Sequence, residues 1–212
     1  MTRILALADE VDEALYGEKL LRLRPDLILS SGDLPFDYLE NLVSRLDVPL
    51  VYVPGNHDRD LSTRDTTWMR LRPEGSPRGP RGADNADGRL IDAAGLRIAG
   101  LGGSLRYRDG PNQYSQNAMR RRALSLELRS RLNRARDGHG VDILLTHAPP
   151  AGVGDGGDAA HQGFTALHRL LTSLVPRLHV HGHVHPYGVK QPDHQLGPTL
   201  VVNAIPSRLI EL

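Results

Sequence analysis

A series of polar side chains stands where runs of apolar residues stop: Asp9 after Ile4–Ala8, Asp33 behind Gly32, and Asn56, His57 and Asp58 behind Gly55. His147 follows Val141–Thr146, and His183 and His185 follow Gly182. Two carboxylates (Asp9, Asp33), one amide oxygen (Asn56) and three imidazoles (His147, His183, His185) make a donor set for a divalent metal such as Mn, Fe or Zn. The chain has no cysteine, so oxygen and imidazole nitrogen are the only donors it can offer. There are more of them than one ion needs, and a carboxylate can bridge. The count therefore points to two ions roughly 3.5–4 Å apart, the spacing that clamps an in-line displacement at phosphorus.

Such residues meet only if the chain brings its strand ends to one edge. Apolar β-rich runs predict strands at Arg3–Ala8, Leu27–Ser31, Leu50–Val53, Leu96–Leu101, Val141–Thr146, Leu178–His181 and Thr199–Asn203. Helical spacing predicts helices over Asp12–Arg24, Phe36–Leu46, Ser115–Arg136 and Thr165–Val175; Leu39, Leu42, Val43 and Leu46 show the i, i+3, i+4, i+7 face. Alternation of the two kinds reads as βαβ units of an α/β fold, in which ligands bind outside the carboxyl ends of the strands. From Arg72 to Arg89 the Gly, Pro and Asn content predicts a long loop with no regular element. No repeat or boundary divides the chain, and a single domain over 1–212 is expected.

Composition excludes several classes. A net charge of +1 gives no global field to attract nucleic acid. No apolar run approaches the ~18 residues of a membrane span, and the first residues lack the regions of a signal peptide, so a cytoplasmic protein without a membrane partner is expected. Oligomeric state leaves no trace in the sequence.

LALAD, SGDL, PGNHD, LTHAPP and HGHVH, in that order, resemble the signature blocks of the calcineurin-like metallophosphoesterase superfamily, and VVNAIPS resembles its closing strand. One block alone would be weak; five in order, each at a strand end, are specific. The resemblance implies a four-layer α/β/β/α double β-sandwich and hydrolysis of phosphomonoesters or phosphodiesters by a hydroxide bridging two divalent ions (Mn, Fe, Mg or Zn). It implies that Asp33 bridges, that Asn56, His147 and His183 complete the second metal site, and that Asp9 and His185 belong to the first. His57 would be the catalytic histidine, oriented and kept protonated by Asp58.

The first block departs from the family pattern of Asp-any-His, for here it reads Asp9-Glu10-Val11. Valine cannot ligate. Glu10, Asp12 or Glu13 would have to supply an oxygen, or water would complete a weakened first site, or one metal and little activity would remain. A weakened, water-completed site is the favoured expectation, and an oxygen-rich site tilts preference toward Mn or Mg. The competing function is a catalytically weak or inactive binding scaffold on the same fold.

Other residues have plainer readings. His179 and His181 alternate with His183 and His185; His181 is expected to hydrogen-bond behind the ligands and His179 to lie in the core. His139, His161, His168 and His194 carry no motif and are expected at the surface. The arginines from Arg120 to Arg136 read as a solvated face, since no aromatic residues interleave them for stacking on bases. Nuclease activity is the less favoured alternative they leave. Arg59–Arg89 and Gly102–Tyr114 are the loops expected to shape a substrate pocket.

Overall fold

The computed structural model describes residues 1–59, 79–186, 188 and 191–212. Within them two sheets stack face to face. The first has the order β13 (Ser207–Glu211), β1 (Arg3–Leu7), β2 (Leu27–Ser30), β3 (Leu50–Tyr52) and β4 (Ala83–Asn85), parallel except for β13. The second runs β11 (His194–Leu196), β12 (Thr199–Asn203), β10 (Leu178–His181), β9 (Ile143–Thr146), β6 (Leu96–Leu101) and β5 (Leu90–Ala93), with a parallel centre and antiparallel edges. A small parallel pair, β7 (Ser104–Leu105) and β8 (Gln113–Tyr114), lies apart.

Side-chain alternation explains the layers. On β1, Ile4 and Ala6 face the second sheet, while Leu5 and Leu7 face helices. The core between the sheets is Ile4, Leu27, Leu29 and Val51 against Ile98, Ile143, Leu178 and Val180. Helices α1 (Lys19–Leu23) and α2 (Phe36–Arg45) cover the outside of the first sheet, through Leu20, Tyr38, Leu39 and Leu42. Helices α3 (Gln116–Asp137) and α4 (Ala166–Leu174) cover the second, through Met119, Leu126, Leu167 and Leu170. Strands buried on both faces are why the parallel runs are apolar throughout. The arrangement is the expected four-layer α/β/β/α sandwich.

Two expectations need correction. The helix over Asp12–Arg24 is a 3₁₀ turn, Glu13–Tyr16, and a separate short α1. Gly17 divides them, and Asp12 caps the first by accepting from the Ala14 N–H at 3.1 Å. The loop over Arg72–Arg89 is not structureless: Ala83–Asn85 forms β4, because its backbone pairs with β3 in spite of a sequence poor in β-formers. Residues 72–78, like most of the Arg59–Arg89 stretch read as a pocket loop, lie outside the described residues.

At the N-terminal edge of the second sheet sits Arg97, its side chain 7% exposed. Its five N–H groups meet both carboxylate oxygens of Asp92, both of Asp137, and the His139 carbonyl, at 2.8–3.1 Å. Among the described residues no helix is long and apolar enough to cross a membrane.

Candidate metal centre

At the opposite, C-terminal edge of the strands the chain turns sharply three times. Asp9, Asp33 and His183 all have left-handed φ (57°, 56° and 68°), a conformation that costs a non-glycine residue of order 1 kcal/mol or more and clusters at functional sites. Two of these are γ-turns: Glu10 N–H donates to the Ala8 carbonyl across Asp9, and Val184 N–H to the Gly182 carbonyl across His183. The γ-turns face one another, since His183 N–H donates to Asp9 Oδ2 at 2.9 Å. Gly182 is required here because a Cβ at that position would run into that same Asp9 oxygen.

The imidazoles are fixed from behind. His147, fully buried, donates from Nδ1 to the Ser31 carbonyl at 2.7 Å. Its Nε2 is therefore left facing Asn56 Oδ1 at 2.9 Å and Asp33 Oδ2 at 3.3 Å. Three acceptors aimed at one point repel unless a proton or a metal cation lies among them, so the donor set fits a divalent ion. Burial alone would lower the His147 pKa; Asp33 and Asp9 overcome it and push it up to about 9. His183 donates from Nε2 to the Ala160 carbonyl at 2.8 Å, which turns Nδ1 inward. Burial, then the charge of His147, bring its pKa down to about 3, so it is neutral and able to ligate.

Burial also raises Asp9 to about 6, against the pull of His147. It works the same way on Asp33, but there His147 prevails and the pKa falls below the ordinary carboxylate value. Asp9, His147 and His183 offer ligand atoms within 4.8 Å of one another. Asp33 and Asn56 join through His147, and His185 Nε2 lies 3.8 Å from Asp9 Oδ1. All six residues named as metal ligands from the sequence thus come to one edge.

His57 and Asp58 sit beside them, but not as a pair. Asp58 Oδ2 accepts the N–H groups of Asp33 at 2.9 Å and Gly55 at 2.7 Å, tying two site turns together. His57 instead presents Nδ1 to Arg108 Nη2 at 3.4 Å, and its backbone N–H donates to Asp33 Oδ1. Asp58 and His57 thus both hold on to the Asp33 turn, one through its carboxylate and the other through its backbone.

The sequence model of the family described as calcineurin-like phosphoesterase matches residues 4–187. The chain belongs to this family. Membership brings dinuclear, metal-dependent phosphoester hydrolysis as the family's chemistry. Solved structures share the fold, two of them closely in extent. One is 16% identical, with TM-score 0.62 over 96% of this chain and 90% of the other; TT1561 of Thermus thermophilus is 20% identical, with TM-score 0.60 over 96% and 88%. No curated protein sequence matches the chain.

In this calcineurin-like phosphoesterase several residues near the centre carry no motif in the sequence. His161, expected at the surface, has its ring 5.4 Å from that of His183 and is paired to Asp158 through Nδ1 at 2.8 Å. The Asp-x-x-His spacing was the available signal. The rim Gly102–Tyr114 is stapled to the centre: Asn112 Nδ2 donates to the carbonyls of Gly55 and Asp58, and Asn56 Nδ2 to the Tyr107 hydroxyl. Gln113, buried, accepts the N–H groups of Tyr107 and Arg108.

His181 and His179 occupy the helix-side face of β10, opposite Leu178 and Val180, and burial lowers both pKa values. His179 Nε2 meets Thr146 Oγ1 at 2.8 Å. The arginine helix is not wholly solvated: Arg122 lies 4.1 Å over the Tyr114 ring and donates to the Gly102 carbonyl, and Arg129 donates to the Gly88 carbonyl.

Proposed function

We propose that this phosphoesterase hydrolyses phosphate monoesters or diesters, with two divalent ions held by Asp9, Asp33, Asn56, His147, His183 and His185 and with His57 meeting the substrate. The carrying observation is His147 Nε2 set against the oxygens of Asp33 and Asn56 while its Nδ1 is committed to a carbonyl. When bound, such an ion pair acidifies water toward neutral pH and withdraws charge from a phosphoryl oxygen.

The remaining tasks fall to side chains. The Ser31 and Ala160 carbonyls hold two imidazoles in the ligating tautomer. Asp33 joins the halves of the centre, with one oxygen near His147 and the other accepting from the backbone of His57, and is the candidate bridge. Asp58 is a positioning residue that keeps the Asp33 and Asn56 turns in register.

Arginine only donates, so beside His57 it leaves Nδ1 as the acceptor and puts the ring proton on Nε2. That proton is available to a charged phosphoryl or leaving oxygen. Arg108, stacked 5.3 Å from the Tyr107 ring centroid, offers a further fork of donors matched to a phosphate. A first site completed by water, with Val11 in place of an imidazole, supports Mn²⁺ or Mg²⁺ over Zn²⁺.

The test is hydrolysis of p-nitrophenyl phosphate and bis(p-nitrophenyl) phosphate with and without Mn²⁺. Turnover that depends on Mn²⁺, is abolished by a chelator and is lost in His57→Ala is expected. Absence of any Mn²⁺-dependent turnover would instead favour the scaffold reading, which Val11 supports.

A further inference from the structure

The gap left by Val11 lies next to an unusual contact. After β1 the γ-turn at Asp9 sends the next three side chains to different surroundings. Val11 packs against the helix-side core of the first sheet. Asp12 accepts from Ala14 N–H, from Lys19 Nζ at 2.7 Å and from Ser207 Oγ at 2.6 Å, which leaves it no part in the centre. Glu10 reaches across to the other γ-turn, where its Oε1 lies 2.7 Å from His185 Nδ1.

An imidazole that donates from Nδ1 keeps a lone pair on Nε2. In His185 that nitrogen is the one 3.8 Å from Asp9 Oδ1, a separation that two donors at about 2.1 Å from a single ion can span. A carboxylate behind a ligating histidine fixes its tautomer and ring direction and raises its basicity.

We propose that Glu10 is the positioning residue of the first metal site. It accepts the Nδ1 proton of His185, directs Nε2 toward Asp9, and adds a negative charge to a site that has lost one imidazole. This rests on the reading of Asp9 and His185 as metal ligands. Glu10 side-chain exposure is 52%, so its replacement does not threaten the core.

The test is Mn²⁺ binding to the full-length protein by equilibrium dialysis, with thermal unfolding of the metal-free form alongside. In Glu10→Ala the weaker-bound ion should lose affinity roughly 10–100-fold. The tighter ion and the metal-free midpoint should be unchanged. Glu10→Gln, whose amide oxygen still accepts from Nδ1 but carries no charge, should fall between the alanine variant and the wild type. Glu10→Ala binding both ions like the wild type, or weakening both equally, overturns the proposal while leaving the metal centre intact. Wild-type protein that binds no Mn²⁺ overturns the metal reading itself and this inference with it.

Discussion

The two ends of the second sheet both concentrate charge, and they do so in opposite ways. At the N-terminal edge every donor of Arg97 has an acceptor, and the carboxylates of Asp92 and Asp137 are half-open to water. At the C-terminal edge buried carboxylates and imidazoles crowd together around His147 and Asp33 and shift one another's pKa values, and three non-glycine residues are held at left-handed φ. The first end is a finished electrostatic structure that secures the start of the sheet. The second is under tension that the fold sustains, and such tension is characteristic of a binding centre.

The sharpest way to break this contrast is to remove one member of each cluster. His147→Ala takes a proposed ligand from the centre, and turnover on p-nitrophenyl phosphate should fall roughly a thousand-fold, the value of several kcal/mol of transition-state charge stabilisation. Stability of the metal-free protein should fall as well, because the buried imidazole that draws down the Asp33 and Asp9 carboxyls is lost with its packing. Arg97→Met should cost stability alone. It forfeits charge-assisted hydrogen bonds worth about 2 kcal/mol net, a drop of roughly 4–8 °C in melting temperature for a chain of this size, with kcat preserved. Turnover kept in His147→Ala and lost in Arg97→Met would show that the clusters have been assigned the wrong way round.

Acid should expose the same difference more gently. Hydrogen bonds from Arg97, then from the His139 backbone, hold Asp137 down at about 2, and Arg97 also lowers Asp92. A depressed carboxylate stabilises the fold above its unfolded value of about 3.9 and loses that contribution as pH falls through about 2. Urea midpoints of wild type and Arg97→Met should therefore differ most at pH 5–7 and converge toward pH 2. A constant gap would remove the carboxylates from the explanation.

A smaller effect is expected at the rim. Arg108→Ala should raise KM for a phosphate monoester about tenfold, the loss of one charge-assisted contact, with kcat changed little. Arg108→Lys should recover part of it. An unaltered KM in the alanine variant would mean that the guanidinium beside His57 serves the loop and not the substrate.

What could be read from the sequence follows from what each residue depends on. Strand ends such as Asp33, Asn56 and His147 are set by local apolar runs followed by a sharp turn, so both their place and their convergence were legible. Leu96–Leu101, Leu178–His181 and Thr199–Asn203 have the bounds their patterns indicate. Contacts across the fold were not legible. That Asp58 accepts from the N–H of Asp33, 25 residues away, is not announced by its neighbours. Nothing local tells that Glu10 will meet His185, that His161 will lie against His183, or that Ala83–Asn85 will find an edge beside β3. These pairings exist only once two sheets have stacked.

The finest distinction lies inside the centre, between the half around His147, backed by the Ser31 and Ala160 carbonyls, and the half around Asp9, which relies on Glu10. Val11→His would restore the imidazole that the family pattern has. It should tighten the weaker Mn²⁺ ion several-fold, and remove apolar packing worth about 1 kcal/mol for a partly buried valine. If Glu10 already does part of that imidazole's work, the gain should be larger in the Glu10→Ala background, about tenfold, than in the wild type. The two positions would then be coupled in a double-mutant cycle of Mn²⁺ affinities. Equal gains in both backgrounds would make them independent. No gain in either would mean that the side chain at position 11 stays with the helix-side core, and that Asp9, Glu10 and His185 hold the first ion by themselves.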